Sequence, residues 1–213
     1  MKRVPILKVA VFLACLGPLV RLVWKGVQGT LGANPIEFIT RSTGEWVLVF
    51  LMATLAITPL RKLTGIADLI RFRRMLGLFA FFYGVLHLTT YVWLDQNFNF
   101  AGMVPDVYKR PFITAGFSAF VLMLPLAFTS TRGWIGRLGG KRWQTLHRLI
   151  YFSALAGVIH FLWLVKRVTV KPQTYAVIFA ILMLSRLALW IVPAIGRSRT
   201  ARPASPALSP QAD

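Results

Sequence analysis

The sequence predicts an all-α integral membrane protein, a bundle of six transmembrane helices with both termini in the cytoplasm. The chain has 213 residues, of which 56% are hydrophobic, and its mean hydropathy is +0.64. A soluble domain is on average more polar than this. The apolar residues form long blocks, and the basic residues lie between the blocks in an alternating pattern. The period-two alternation that a membrane β-barrel requires is not visible.

Six apolar blocks define the predicted helices. A block of about 20 residues, with a rise of ~1.5 Å per residue, spans the ~30 Å hydrocarbon core of a bilayer. The third and fourth blocks contain no Asp, Glu, Lys or Arg, whereas the second is shorter and the sixth contains Arg186. The blocks cover residues 8–24, 44–60, 75–94, 111–131, 145–165 and 172–193.

The charge balance is strongly basic, with 25 Lys and Arg residues against 6 Asp and Glu residues and a net charge of +19. In a soluble protein this would suggest a nucleic-acid partner. Here the basic residues follow the positive-inside rule, since 15 of them lie at the termini and in the second and fourth loops, against 7 in the other three loops. We therefore expect membrane lipid rather than nucleic acid around the chain, and cytoplasmic N- and C-termini.

One domain is expected, a bundle over residues 1–196, followed by a disordered cytoplasmic tail over 197–213. The tail is rich in Pro, Ser and Ala and lacks aromatic residues, a composition that cannot form a packed core. The connection 95–111 carries several aromatic residues. It is expected to lie in the interfacial aromatic belt, with a partner-binding surface as the alternative. The sequence contains no GxGxxG, Walker or CxxC motif, so no nucleotide-binding module is expected.

Two of the three histidines lie deep in apolar blocks, where an ionisable residue is a functional candidate by default. His87, in the third helix, is eight residues before Asp95 and so ~12 Å below the outer end of that helix. His160, in the fifth helix, is six residues before Lys166 and so ~9 Å below its outer end. Both imidazoles are therefore expected at a similar depth, in the outer half of the bilayer.

Each of these histidines follows a glycine by three residues, Gly84 before His87 and Gly157 before His160. Residues three apart share a helix face, so each imidazole is expected beside bare backbone that a flat, bulky group can approach. Haem needs one or two axial ligands and suits this pair better than zinc, which needs three or four. Without a CxxCH motif the haem would be b-type. A structural hydrogen-bonding role is the alternative for either histidine.

His147 lies near the cytoplasmic end of the fifth helix, thirteen residues and ~19.5 Å before His160. Thirteen steps of ~100° leave the two side chains ~140° apart on an ideal helix, so a bend or tilt is needed before both face the bundle axis. One interpretation is a second site near the inner membrane face. The other is an imidazole that reaches toward the headgroups beside Arg142 and Arg148.

Two runs of residues carry a resemblance to a known family, RFRRMLGLFAFFYGVLHLTTY around His87 and LGGKRWQTLHRLIY around His147. With six helices, and histidines in the third and fifth, the chain resembles the ferric-reductase-like transmembrane domain shared with NADPH oxidases. Within that superfamily it looks like the MsrQ family, also called YedZ, over about residues 5–195. Members of that family are haem-binding membrane subunits of the bacterial periplasmic methionine sulfoxide reductase system.

The resemblance implies that His87 and His160 ligate an outer b haem and that His147 serves an inner haem, so that all three are metal ligands. The superfamily pattern places a second histidine in the third helix, at a position that holds Arg73 here. Arg73 or Arg74 would then meet haem propionates as charge-assisted partners. The resemblance also implies FMN, for which the sequence locates no binding residue.

Two further basic residues of the helices, Arg186 and Arg148, have two interpretations each. Arg186 interrupts the sixth helix, where an unpaired charge is costly. It is expected either to pair with a haem propionate or a quinone head group, or to reach toward the cytoplasmic face. Arg148, beside His147, has the same two interpretations.

The resemblance implies a bacterial inner-membrane protein that moves electrons and reduces no sulfoxide itself. The donor would be quinol from the quinone pool or a separate cytoplasmic flavin reductase, and the acceptor MsrP, a periplasmic molybdopterin enzyme that reduces methionine sulfoxide. One alternative is a cytochrome b subunit for another periplasmic oxidoreductase or a ferric reductase. Another is a cofactor-free small-molecule transporter, which would show a polar path, broken helices or an inverted repeat.

Overall fold

The computed structural model describes residues 3–165 and 170–200, and within them it contains helices and no strand. A 3₁₀ turn, Ala67–Leu69, precedes α3, and a π-helical segment, Thr90–Asp95, follows it. The α-helices are α1 Arg3–Val27, α2 Pro35–Thr64, α3 Ile70–Thr89, α4 Phe100–Lys109, α5 Pro111–Phe128, α6 Arg132–Leu138, α7 Gly140–Leu146, α8 Leu149–Leu164 and α9 Val170–Thr200.

Six helical segments are long and apolar enough to cross a membrane, which confirms the six predicted spans. The agreement follows from helix length and hydropathy, the two properties that decide whether a segment can cross a bilayer. The segments are Pro5–Val27, Pro35–Thr64, Ala67–Asp95, Pro111–Phe128, Gly140–Leu164 and Val170–Leu189.

The second helix is much longer than its apolar block, because its ends are set by capping rather than by hydropathy. Pro35 occupies the first turn, and the Asn34 side chain accepts a hydrogen bond from the Glu37 amide. Both features favour a helix start. Gly65 ends the helix in the left-handed conformation, with φ 72°, as glycine commonly does.

The fifth span was predicted as one helix, but it is interrupted between α7 and α8. His147 ends α7 with φ −70° and ψ −3°, and Arg148 precedes the first residue of α8. The ~140° offset assumes one ideal helix, and the turn at His147 and Arg148 breaks that helix. In the structure His147 lines a cavity of the bundle, and His160 lies beside His87 of α3.

Helices α2, α3, α5 and α8 form the centre of the bundle. The closest pairs are α2 with α3 and α5 with α8, and α3 also packs on α5. The core side chains are apolar, including the fully buried Leu51, Leu55 and Ala154. Ser153 in α8 donates to the Ala119 carbonyl of α5 at 2.9 Å, which satisfies its buried hydroxyl.

Helices α1 and α9 pack at the periphery, α1 against α2 and α3, and α9 against α2 and α8. Among the residues of α1 whose side chains are described, only Cys15 is buried, whereas Ile6 is 71% exposed and Val20 is 65% exposed. An apolar exterior of this extent fits lipid rather than water as the surrounding solvent. The connection 95–111 contains α4, whose exposed side chains include Phe100, Val104 and Tyr108.

The two predictions about the ends of the chain stay predictions. The predicted tail begins at residue 197, within α9, and residues 201–213 lie outside the described residues. An even number of spans places both ends of the bundle on one side of the membrane. That this side is the cytoplasm rests on the distribution of basic residues.

Candidate functional site

The structure brings His87 and His160 together across the bundle. His87 projects from α3 and His160 from α8, and their ring centres lie 6.1 Å apart with the ring planes 71° apart. Both rings lie where α2 and α5 begin, since His87 contacts Gly44 of α2 and His160 contacts Gly116 of α5. His87 and His160, which the sequence predicted at a similar depth, therefore lie next to each other in the structure.

A backbone carbonyl fixes the proton on each ring. His87 Nδ1 lies 3.0 Å from the Thr40 carbonyl oxygen, and His160 Nδ1 lies 2.6 Å from the Phe112 carbonyl oxygen. A carbonyl oxygen can only accept, so Nδ1 is the donor in both neutral rings. The lone pair of each imidazole is then on Nε2, one of the two nitrogens through which neutral histidine binds metals.

The spacing of the rings fits one metal held between them. A metal–imidazole bond is about 2.0 Å long, so two rings bound on opposite sides of one metal have centres about 6 Å apart. Among the described residues, no group of three or more His, Cys, Asp or Glu side chains could hold a metal ion. A centre with two protein ligands, such as a haem with two axial histidines, therefore fits these residues. The hydroxyl of Thr40, whose carbonyl accepts from His87, is buried and has no hydrogen-bond partner among the described residues.

The glycines beside the rings differ from the two that the sequence indicated. A Cβ atom at Gly84 would meet Met123 Cε of α5 at 3.1 Å, and one at Gly157 would meet Leu48 Cδ2 of α2 at 3.2 Å. Those two glycines therefore serve close helix packing, and their bare backbone is covered by side chains. Gly44 and Gly116, on the helices opposite the histidines, are the glycines that the imidazoles contact.

His147 lies at the other end of the bundle, against the end of α5. Its Nε2 is 3.0 Å from the Thr129 hydroxyl, which itself donates to the Pro125 carbonyl at 2.6 Å. The hydroxyl has one proton, so His147 Nε2 is the donor and the lone pair of this ring is on Nδ1. The Trp143 ring stacks on His147 with ring centres 3.9 Å apart. His147 therefore differs in tautomer from the other two histidines.

A cavity of about 270 Å³ adjoins His147. Arg73 and Arg74 of α3 line it together with His147, as do the apolar residues Phe81, Met123 and Ile150. The three cationic or titratable residues that the resemblance assigned to an inner site thus share one cavity. Its lining is mostly apolar and includes the basic residues Arg73 and Arg74, a composition that suits an apolar group with anionic substituents.

Arg186 and Arg148 have different surroundings. Arg186 Nη1 donates to the Tyr151 hydroxyl at 2.7 Å, and Nη2 donates to the Leu55 carbonyl. Its Nε is buried and has no partner among the described residues. Arg186 thus points into the bundle and is held by α2 and α8, whereas Arg148 is exposed. Neither residue lines the cavity beside His147.

Comparison with known proteins decides the family. A family model described as "ferric reductase like transmembrane component" matches residues 42–158, more than half of the chain. A protein of Herminiimonas arsenicoxydans is 55% identical over 184 residues, which are 85% of this chain and 84% of the relative. A protein of Rhodospirillum rubrum is 51% identical over 198 residues, 92% of each chain. Both are named protein-methionine-sulfoxide reductase heme-binding subunit MsrQ.

This chain belongs to the MsrQ family. A further MsrQ relative, from Ralstonia nicotianae, is 52% identical over 178 residues, 83% of this chain and 82% of the relative. Family membership confirms the resemblance carried by the two sequence runs. Together with the six apolar helices, it identifies a multi-pass membrane protein.

Four contributors to the candidate site were not predicted from the sequence. They are the carbonyls of Thr40 and Phe112, which bind the rings, and Gly44 and Gly116, which the rings contact. A carbonyl leaves no signature in a sequence, because every residue has one. The two glycines did leave a signal, since a glycine inside a helix often marks a close approach. The sequence alone does not say that the approaching group is an imidazole.

Proposed function

We propose that this MsrQ-family chain is a b-type cytochrome that passes electrons from the quinone pool across the inner membrane. The acceptor is an MsrP-type periplasmic molybdopterin methionine sulfoxide reductase, so the pair supports repair of oxidised periplasmic proteins. One observation carries the proposal: the ring centres of His87 and His160 lie 6.1 Å apart, and each ring has its lone pair on Nε2. The relatives' name, heme-binding subunit, supports the same assignment.

His87 and His160 would hold the outer haem, each through its Nε2. When bound, a haem supplies reversible one-electron transfer at a potential set by its ligands and surroundings. The Thr40 and Phe112 carbonyls orient the rings and raise the basicity of the ligating nitrogens.

His147 would hold a second haem at the inner cavity. Arg73 and Arg74 line the same cavity and would neutralise haem propionates through charge-assisted hydrogen bonds. The Trp143 ring and the Thr129 hydroxyl hold the imidazole in place. FMN enters the proposal through the family resemblance alone, and no described residue is assigned to it.

The partners follow from the orientation predicted by the basic residues. With cytoplasmic termini, the His87/His160 pair lies in the periplasmic half of the membrane, where electrons can leave for MsrP. Quinol in the bilayer is the proposed donor, and a cytoplasmic flavin reductase is the alternative. The relatives' name favours a methionine sulfoxide reductase over another periplasmic oxidoreductase or a ferric reductase as the acceptor.

A reconstituted system tests this function. Proteoliposomes are prepared with the purified chain and a reduced quinone, and purified MsrP is added outside. MsrP should then convert methionine sulfoxide and two protons to methionine and water. The two electrons come from the quinol. The His87→Ala variant should lose this reaction, and Gln144→Ala, at an exposed position of α7, should retain it. Equal turnover with and without the chain would contradict the proposal.

A further inference from the structure

Two glycines on opposing helices form fitted surfaces for the two imidazoles. A Cβ atom at Gly44 would lie 2.9 Å from His87 Cε1 and 3.1 Å from Nδ1. A Cβ atom at Gly116 would lie 2.7 Å from His160 Nδ1 and 3.0 Å from Cε1. Real Cβ atoms essentially never come within 3.0 Å of another heavy atom, so a side chain at either position would force the ring or its helix to shift.

Each ring is also held from a second direction, by a carbonyl on the same helix as its glycine. The Thr40 carbonyl lies one helical turn before Gly44 on α2, and the Phe112 carbonyl lies one turn before Gly116 on α5. The carbonyl fixes the direction of the Nδ1–H bond, and the glycine backbone limits rotation of the ring about that bond. The same device thus appears twice, on two helices that are not adjacent in the chain.

We infer that Gly44 and Gly116 are positioning residues that, with the two carbonyls, hold the imidazole planes nearly perpendicular. The planes are 71° apart. This inference rests on the proposed haem function, and it adds a property of the site that ligand identity alone does not determine. The relative orientation of two axial imidazoles sets the splitting of the ferric d orbitals, which is one way in which axial ligands tune a haem.

Electron paramagnetic resonance of the ferric protein reports that orientation directly. Nearly perpendicular imidazoles give a low-spin signal dominated by one large g value, whereas parallel imidazoles give a rhombic signal. The wild type should show the first kind of signal. Gly44→Ala and Gly116→Ala should shift the largest g value or lose the low-spin signal, because each added methyl group pushes a ring out of its plane.

Gly84→Ala and Gly157→Ala are matched controls. They lie three residues before the same histidines, and their methyl groups would meet the flexible ends of Met123 and Leu48 at 3.1 Å and 3.2 Å. These controls should keep the wild-type signal. Two substitutions are tested so that failure of one variant to fold, seen as aggregation on gel filtration, leaves the other as the test.

The possible outcomes separate this inference from the function on which it rests. An unchanged signal in folded Gly44→Ala and Gly116→Ala overturns the positioning role, as do equal shifts in all four variants or a rhombic wild-type signal. A wild-type protein with no low-spin haem signal, although purified from haem-replete cells, overturns the proposed function itself. A normal wild-type signal that shifts in the first two variants only supports both.

Discussion

The indole of Trp143 stacks on the imidazole of His147, with ring centres 3.9 Å apart and planes 28° apart. The indole nitrogen donates to the Thr129 carbonyl at 2.9 Å, while the Thr129 hydroxyl accepts from His147. Trp143 and Thr129 therefore fix one side of the imidazole and leave its Nδ1 without a described partner. This geometry makes His147 a ligand candidate separate from the outer pair.

We expect His147→Ala to lower the haem content by one haem per chain while leaving the spectrum of the outer site in place. The reason is distance, since His147 and the His87/His160 pair lie at opposite ends of the bundle. A pyridine haemochrome assay per mole of protein measures this change. Gln144→Ala, an exposed neighbour in α7, is the control. An unchanged haem content in His147→Ala would show that the inner site holds no haem through this residue.

Tyr83 ties α1 to the bundle, and its loss should destabilise the protein. Its hydroxyl donates to the Cys15 carbonyl at 3.0 Å and accepts from the Leu19 amide at 3.1 Å. Tyr83→Phe removes both bonds and should cost about 1 kcal/mol. Tyr108→Phe is the control, because the Tyr108 side chain is exposed on α4. Thermal unfolding in detergent should show a lower Tm for Tyr83→Phe only, and equal Tm values would contradict the role of this bridge.

Replacing Arg186 by lysine keeps the positive charge but changes the shape of the cationic group, and it should destabilise the protein. Its guanidinium reaches the Tyr151 hydroxyl and the Leu55 carbonyl together, and a lysine cannot reproduce that fork. Arg186→Lys should destabilise the bundle by about 1–3 kcal/mol, whereas Arg148→Lys, at an exposed position, should leave Tm unchanged. A neutral Arg186→Lys variant would mean that these two hydrogen bonds add nothing to stability.

The orientation of the bundle can be tested with single cysteines, because Cys15 is the one cysteine in the sequence. In a Cys15→Ser background, Gln28→Cys lies beyond α1 and Gln144→Cys lies in α7, and both positions are exposed. Positive-inside topology places Gln28 in the periplasm and Gln144 in the cytoplasm. A membrane-impermeant maleimide should label Gln28→Cys in spheroplasts, and Gln144→Cys only after lysis. The reverse labelling would invert the topology.

The sequence could predict the spans and the pairing of His87 with His160 because both depend on position along the chain. Hydropathy gives the length of each helix, and residue counts from each helix end give the depth of each histidine. The similar depth of the two histidines was enough to predict that they pair, without knowing which helices are neighbours. Capping residues such as Asn34 and Gly65 lie outside the apolar block, so the true length of α2 was missed.

The details of the site depend on helix rotation and neighbours, which the sequence does not specify here. A helix that is apolar all round has no periodicity to indicate which face turns inward. Gly84 and Gly157 were therefore assigned to the cofactor side, although they face Met123 and Leu48 of other helices. Gly44 and Gly116 were missed because they lie on α2 and α5, far along the chain from the rings that they contact.

The central claim is that His87 and His160 together hold a b-type haem. A reduced-minus-oxidised absorption spectrum of the purified protein, from haem-replete cells, tests it most directly. We expect a b-type spectrum in the wild type whose outer-site contribution is lost in His87→Ala and in His160→Ala, although both variants fold, so that any b-type signal that remains belongs to the inner site at His147. A colourless wild-type protein, or an undiminished b-type spectrum in both variants, would contradict it.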